Sequence, residues 1–343
     1  VFDENYWKRC CISKFGWENC ELIEHGLTWK QLYFEKLLQE KLEDFAPDGD
    51  RDELFDFLEA CQDYIFTLTI RELRSHLDMS EVCSRLPNLT KLDLTYGVKK
   101  CGMEYVRMMF GMKISDANSL ATCLALGGGP GTGVGGGILT SVVLTCNLID
   151  DDLLRMLMTG LIKNDSITHL DVSHNKITNH GVRLLAKLLG GQSVLTALNL
   201  ADNQIHAEGG RYLGRGLRSN DTLVDLNLRL NRLTDDGGRM LLEGLRTNQN
   251  LLRLNLAGNS LGNETVGALA AVLQEPECPL STLDLSCNDL DTQDVITLES
   301  VLSENRIMTS IDLRMNPNVG EDAEEALDSI NRMVHFNEID ARR

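Results

Sequence analysis

The sequence predicts an α/β solenoid, a curved stack of short parallel strands on a concave face and helices on a convex face, and three observations carry that prediction. A leucine-spaced motif ending in asparagine recurs at a fixed interval. A helical period of apolar residues follows each copy. The apolar fraction of 43% comes with only 5% aromatics, as a core of many small equal layers requires and one large mixed core does not.

The motif reads LxxLxLxxNxL. One copy runs through Ile167, Leu170, Val172, Asn175 and Ile177, and the next through Leu195, Leu198, Leu200, Asn203 and Ile205. Its asparagines are Asn147, Asn175, Asn203, Asn231, Asn259, Asn288 and Asn316, spaced 28, 28, 28, 28, 29 and 28 residues apart. The LxL step has period two, so its leucines point inward and the residue between them outward, which defines a short strand. Counting Leu89, Leu92 and Leu94, with Gly97 in the asparagine place, eight strands are expected. The chain is thereby a leucine-rich-repeat solenoid of the ribonuclease-inhibitor-like horseshoe type.

After each asparagine the apolar period becomes helical, as in Gly181, Leu184, Leu185, Leu188 and Leu189. Thr178, Thr234 and Asp291, three places after their asparagines, are the expected helix caps. Gly160, Gly216 and Gly244 are expected to permit close backbone approach. The asparagine itself reads as structural, because buried turn amides and carbonyls need one partner that both donates and accepts.

Outside the array, residues 1–85 lack the motif and hold Trp7, Trp17 and Trp29. Helical runs from Thr28 to Phe45 and from Asp52 to about Thr67 are separated by Pro47, Asp48 and Gly49. This segment reads as a helical amino-terminal cap and, through its aromatics, as a docking surface second to the concave face. Residues 86–319 form the repeat solenoid and 320–343 a helical carboxy-terminal cap. The step from Gly97 to Asn147 is 50 residues, so the glycine-rich run 127–137 is an insertion in a helix-to-strand loop. Gly131, Gly133 and Gly136 match GxGxxG, but a helix precedes the motif and a strand follows it, the reverse of a dinucleotide site.

A net charge of −18 disfavours nucleic acid, anionic membranes and direct tubulin contact. Between Glu40 and Asp63, ten carboxylates face only Lys41 and Arg51, which reads as a solvated helix face, with a basic partner as the alternative. Ten cysteines without CxxC pairs, and no long apolar run, imply a reduced cytoplasmic location. The chain begins at Val1 and not at Met, which leaves room for a leader or further residues before it.

His169, His174 and His180 lack metal-ligand spacing, and Cys146 and Cys287 sit at equivalent turns, so no metal, nucleophile or cofactor is expected. The x of each LxL makes a concave row of Asp93, Asp171, Asn199, Asn227, Asn255, Asp284 and Asp312, flanked by Arg229, Arg253 and Arg314. Once-per-repeat carboxylates are what a solvated strand face produces, so the row reads as a polar binding surface and not as acid–base machinery. Charge reversal at Asp171 and Asp284 is expected to weaken partner binding without unfolding the chain.

Tyr6-Trp7-Lys8-Arg9, the run LDLTYGVKKCGMEY from Leu92 to Tyr105, and LNLRLN from Leu226 to Asn231 resemble the T-complex-associated testis-expressed protein 1 family, subunit five of the nexin-dynein regulatory complex. The resemblance implies a non-catalytic scaffold of the ciliary or flagellar axoneme, part of the cytoskeleton. Its implied partners are the coiled-coil subunits of that complex and dynein regulatory neighbours, and its implied role is regulation of dynein-driven motility. The glycine insertion departs from the animal members of that family. Two readings from other classes share the repeat: a Ran-type GTPase-activating protein, and a ubiquitin-ligase substrate receptor with an amino-terminal helical segment.

Overall fold

The computed structural model describes residues 2–16, 22, 27–98, 109–125, 138–191 and 193–342. The glycine-rich run 127–137, Trp17 and residues 99–105 of the run from Leu92 to Tyr105 lie outside the described residues. The elements are, in order, α1 (Phe2–Phe15), α2 (Trp29–Glu43), α3 (Arg51–Cys61), β1 (Thr67–Leu73), α4 (Met79–Cys83), β2 (Lys91–Tyr96), α5 (Ile114–Ala125), β3 (Ser141–Val143), α6 (Asp151–Leu161), β4 (His169–Asp171), α7 (Asn179–Leu189), β5 (Ala197–Asn199), α8 (Ala207–Leu217), β6 (Asp225–Asn227), α9 (Thr234–Leu245), β7 (Arg253–Asn255), α10 (Asn263–Leu273), β8 (Thr282–Asp284), α11 (Thr292–Leu302), β9 (Ser310–Asp312) and α12 (Glu324–Ala341). They form two compact units, Val1–Leu148 with Met156–Ile167, and Ile149–Arg155 with Thr168–Arg343.

In the first unit β1, β2 and β3 pair in parallel, with Leu68, Leu92 and Val142 in register and fully buried. The strand ladder therefore begins inside residues 1–85, earlier than the expected boundary at 86, and the described residues hold nine strands against the eight expected. Ile65, Leu68 and Ile70 have the spacing of Leu89, Leu92 and Leu94. Leu73 stands where the asparagine would be, so the copy escapes a search keyed on asparagine. This also ends the second amino-terminal helix at Cys61, short of the expected Thr67.

An edge strand exposes unpaired amides. Here α2 answers them: Glu35 Oε1 accepts hydrogen bonds from Phe66 N (3.1 Å) and Thr67 N (2.8 Å), and Glu43 Oε1 accepts one from Arg71 N (2.6 Å). The Thr28 hydroxyl caps α2 by accepting from Gln31 N, and Asp50 caps α3 by accepting from Asp52 N and Glu53 N. Trp7 fixes α1 on α2, its ring 5.1 Å from Tyr33 and 5.2 Å from Phe34, while Trp29 is buried with Cys11 and Leu22. The amino-terminal tryptophans that the structure describes, Trp7 and Trp29, thus serve this packing. The acidic stretch is met in part by Lys14 on Glu40 and Lys41 on Glu53, while its Arg51 pairs outside it with Glu81.

In the second unit β4 to β9 pair in parallel, each with the next. Their central residues Leu170, Leu198, Leu226, Leu254, Leu283 and Ile311 stand in register. Between strands, α7 to α11 each present Leu or Val side chains inward, and neighbouring helices pack on one another. Thr178 and Asp291 cap α7 and α11, the latter in a capping box with Asp294. Thr234 does not cap α9: its φ is +58° and it begins the helix without a side-chain cap. Helices α8 and α9 approach at glycines, since a Cβ at Gly244 would lie 2.1 Å from Gly214 O and one at Gly210 2.4 Å from Gly237 O. The repeats end on α12, whose Asn337 donates from Nδ2 to Asn305 O (3.2 Å) and Met308 O (2.9 Å).

Candidate partner-binding surface

Each ladder asparagine ties two repeats together. Asn203 Nδ2 donates to Leu200 O and Ala201 O of its own turn and to Val172 O of the preceding one, while its Oδ1 accepts from Ile177 N. Asn231 and Asn259 repeat this set. Asn175 donates to Val172 O and Ser173 O and accepts from Ile149 N, and Asn147 donates to Leu94 O and accepts from Tyr96 N. Asn288 and Asn316 both donate to Leu285 O. These are buried backbone groups that would otherwise lack partners, and the primary amide is the side chain that serves both kinds.

The residue before each asparagine turns the chain and holds a left-handed backbone: Cys146, His174, Asp202, Leu230, Gly258, Cys287 and Met315 all have φ between 49° and 66°. Leu230, Cys287 and Met315 are exposed there, Met315 by 79%. The two cysteines are turn residues with no disulfide partner.

The strand face of the second unit consists of two outward columns, followed by the residues two places on. The first strand positions are His169, Ala197, Asp225, Arg253, Thr282 and Ser310, and the third are Asp171, Asn199, Asn227, Asn255, Asp284 and Asp312. Every third-position side chain folds back onto its own turn. Asp171, Asn199, Asn227, Asn255, Asp284 and Asp312 each accept through Oδ1 from the amide two residues on, at 2.9–3.1 Å. Two pairs also join sideways, Asn199 Nδ2 to Asp171 Oδ2 at 2.9 Å and Asn255 Nδ2 to Asp284 Oδ2 at 3.0 Å. The predicted row from Asp171 to Asp312 is therefore contiguous, but its carboxylates are committed to holding turns, while Asp93 in the first unit is paired with Arg71. That corrects the expectation that charge reversal at Asp171 and Asp284 would leave the fold intact.

The predicted arginines divide. Arg253 Nε binds Asp225 Oδ2 on the neighbouring strand at 2.8 Å. Arg314 embraces Asp312, and that hydrogen-bonded pair, against a small burial penalty, holds the Asp312 carboxyl below its usual value. Arg229 is exposed beside Leu230 and forms no ion pair among the described residues. The histidines do not converge: His169 Nδ1 meets Thr168 Oγ1, His174 Nδ1 meets Asp202 Oδ2 at 2.7 Å, and His180 lies exposed on α7. Among the described residues no His, Cys, Asp and Glu group of three or more forms a metal-ligand set.

A second asparagine series, not recognised in the sequence, closes the helix-to-strand loops. Asn164, Asn220, Asn248 and Asn305 donate to Leu124 O, Leu189 O, Leu217 O and Leu273 O, and accept from the amides two and three residues on. The signal was present as spacing, 28 residues between Asn220 and Asn248, but Gln192 and the Pro276 loop interrupt it. Also unforeseen is His76 against the buried Asp116, Nδ1 to Oδ2 at 2.6 Å, under Tyr96 in the first unit.

A Leucine Rich repeat family model matches residues 163–186, 192–214, 219–242 and 247–270. Dynein regulatory complex subunit 5 of Chlamydomonas reinhardtii is 41% identical over 158 residues, covering 46% of this chain and 38% of that protein. The chain carries leucine-rich repeats and is similar over about half of its length to dynein regulatory complex subunit 5. Subunit 5 of Mus musculus is 32% identical over 216 residues, covering 54% of this chain and 41% of that protein, and subunit 5 of Homo sapiens is 31% identical over 217 residues, with shares of 55% and 41%. The chain thus spans about two fifths of the length of the curated relatives it matches. Among solved structures, an internalin from Listeria monocytogenes matches with a TM-score of 0.45 at 16% identity, over 81% of this chain and 62% of that one. The strand register and the asparagine ladder carry the fold assignment without it. Among the described residues no helix is long and apolar enough to cross a membrane.

Proposed function

We propose that this chain is a non-catalytic scaffold of the dynein regulatory complex in the ciliary or flagellar axoneme, holding neighbouring subunits through exposed side chains of its repeats. The observation that carries the reading is the similarity to subunit 5, 41% identity over 158 residues in the alga and 32% over 216 in the mouse. The strand face supports a binding role over a catalytic one, since its third-position carboxylates Asp171, Asp284 and Asp312 are each tied to a turn amide and Asp225 is paired with Arg253. Contact falls instead to the side chains left outward, Arg229, Leu230 and Met315. A rigid ladder of this kind binds without a cofactor and without ordering itself, which favours coiled-coil subunits laid along it. Crosslinking mass spectrometry on isolated cilia tests the proposal. Links from this chain to coiled-coil subunits of the complex are the expected result; absence from cilia, or links to a small GTPase or a ubiquitin-ligase core, would overturn it.

A further inference from the structure

Four successive helices, α6 to α9, carry an arginine at one lattice position, Arg155, Arg183, Arg211 and Arg239, each 28 residues from the next. Three are neutralised by an acid one turn earlier on the same helix. Arg155 meets Asp152 at 2.8 Å, Arg211 meets Glu208 at 2.7 Å, and Arg239 meets Asp236 at 3.0 Å. In α7 the acid's place is taken by His180, and the Arg183 guanidinium lies 5.8 Å from the Tyr212 ring centre instead. One turn further Lys187 is exposed, and so are Arg215 on the adjacent α8 and Arg218 just past its end.

Among the described residues, none of Arg183, Lys187, Arg215 and Arg218 has a carboxylate at ion-pair distance. The lattice acids around them are occupied: Glu208 accepts from Arg211 and from the Tyr212 hydroxyl, and Glu243 from Arg239. Asp221, in the loop after α8, is the exposed acid that remains nearby in sequence. The repeat lattice provides a counter-charge rule, and α7 breaks it, beside the unpaired Arg215 and Arg218, in a chain whose net charge is −18.

The size of the patch selects its partner. Positions one turn apart on a helix are separated by about 6 Å, and packed helices by about 10 Å, so the four cations form a compact field two helices wide. One face of a single acidic helix, with carboxylates at successive turns, fits that field. A membrane or a nucleic acid presents a broad anionic surface that would also meet the acids on either side.

We propose that the exposed face of α7 and α8 docks an acidic helical segment of a partner protein through Arg183, Lys187, Arg215 and Arg218. The inference stands on this face alone and does not depend on the complex proposed above. Fluorescence anisotropy of the full chain with a labelled glutamate-rich helical peptide tests it, alongside the lysine-for-glutamate peptide, phosphatidylserine vesicles and a DNA duplex. Binding of the acidic peptide alone is expected, weakening with salt. Arg183→Glu with Lys187→Glu, Arg215→Glu and Arg218→Glu should lower that affinity by at least about tenfold, while Arg306→Glu with Arg332→Glu, exposed after α11 and on α12, should leave it unchanged. Should the fourfold variant fail to fold, Lys187→Glu and Arg215→Glu are read singly, each expected to weaken binding. Unchanged affinity in folded variants, vesicles or DNA binding as tightly as the peptide, or no peptide binding at low salt would each overturn the proposal.

Discussion

A left-handed backbone at a residue other than glycine costs about 1–2 kcal/mol, and six of the seven turns before the ladder asparagines carry that cost. Gly258 occupies the seventh. Leu230→Gly removes the steric conflict and adds glycine's chain-entropy cost of about 0.5–1 kcal/mol, so the net expected from urea unfolding is a gain of about 0.5–1 kcal/mol. A loss of stability would mean that the exposed leucine packs on its neighbours. On the strand face, binding and folding separate by residue. Asp284→Lys removes the acceptor for Ser286 N and for Asn255 Nδ2 and should destabilise by about 1–3 kcal/mol. Arg229→Glu, exposed and without an ion pair among the described residues, should leave unfolding unchanged and reduce crosslinks to neighbouring subunits in cilia. The sequence located both residues, because LxL alternation fixes which side chain faces outward. It could not show that Asp284 is bound to its own turn, because whether an outward Asp accepts from the amide two residues on depends on turn geometry.

Elements read from the sequence fail or succeed according to whether their signal is periodic. The strands of the second unit follow from Leu and Asn at fixed spacing; β1 is missed because Leu73 replaces the asparagine, although Leu68 and Ile70 keep the period. The pairing of α8 with α9 is likewise legible as glycine abundance, but only contacts reveal which glycines matter. Gly244 has Gly214 O at 2.1 Å from an added Cβ, whereas Gly267 on α10 has nothing within 4 Å. Gly244→Ala should therefore cost about 1–3 kcal/mol through forced backbone separation, and Gly267→Ala should gain about 0.5–1 kcal/mol from helix propensity, both measured by thermal unfolding. At the first edge, burial raises the Glu35 carboxyl above its ordinary 4.5, against the hydrogen bonds from Gln31, Thr67 N and Phe66 N. A carboxyl raised in the folded state loses stability as pH climbs from that ordinary value through the raised one. Glu35→Gln keeps an acceptor for the strand amides without the buried charge. Relative to the native chain its stability should rise as pH increases through that window and then hold constant, a profile followed by urea unfolding from pH 3.5 to 7.5; a flat difference would show that Glu35 stays charged at no cost.

At the scale of the molecule, a repeat chain spreads its stability over nearest-neighbour interfaces, and the asparagine ladder shows where the coupling resides. Asn203 and Asn231 both donate to one carbonyl, Leu200 O, at 3.1 and 2.9 Å. Asn288 binds Leu256 O, Leu285 O and Ser286 O and shares no acceptor with Asn203. Truncating either asparagine of the first pair leaves Leu200 O one remaining ladder donor; truncating both leaves it none, and the second loss then carries the cost of an unpaired buried carbonyl, about 1–3 kcal/mol. The double substitution Asn203→Ala with Asn231→Ala should thus destabilise by more than the sum of the single ones, while Asn203→Ala with Asn288→Ala should be additive within about 0.5 kcal/mol. Equilibrium urea unfolding of the five variants measures both cycles. Additivity in the adjacent pair would assign the ladder's effect to each turn separately, and coupling between the distant pair would mean that the second unit unfolds with longer-range cooperativity than its hydrogen bonds provide.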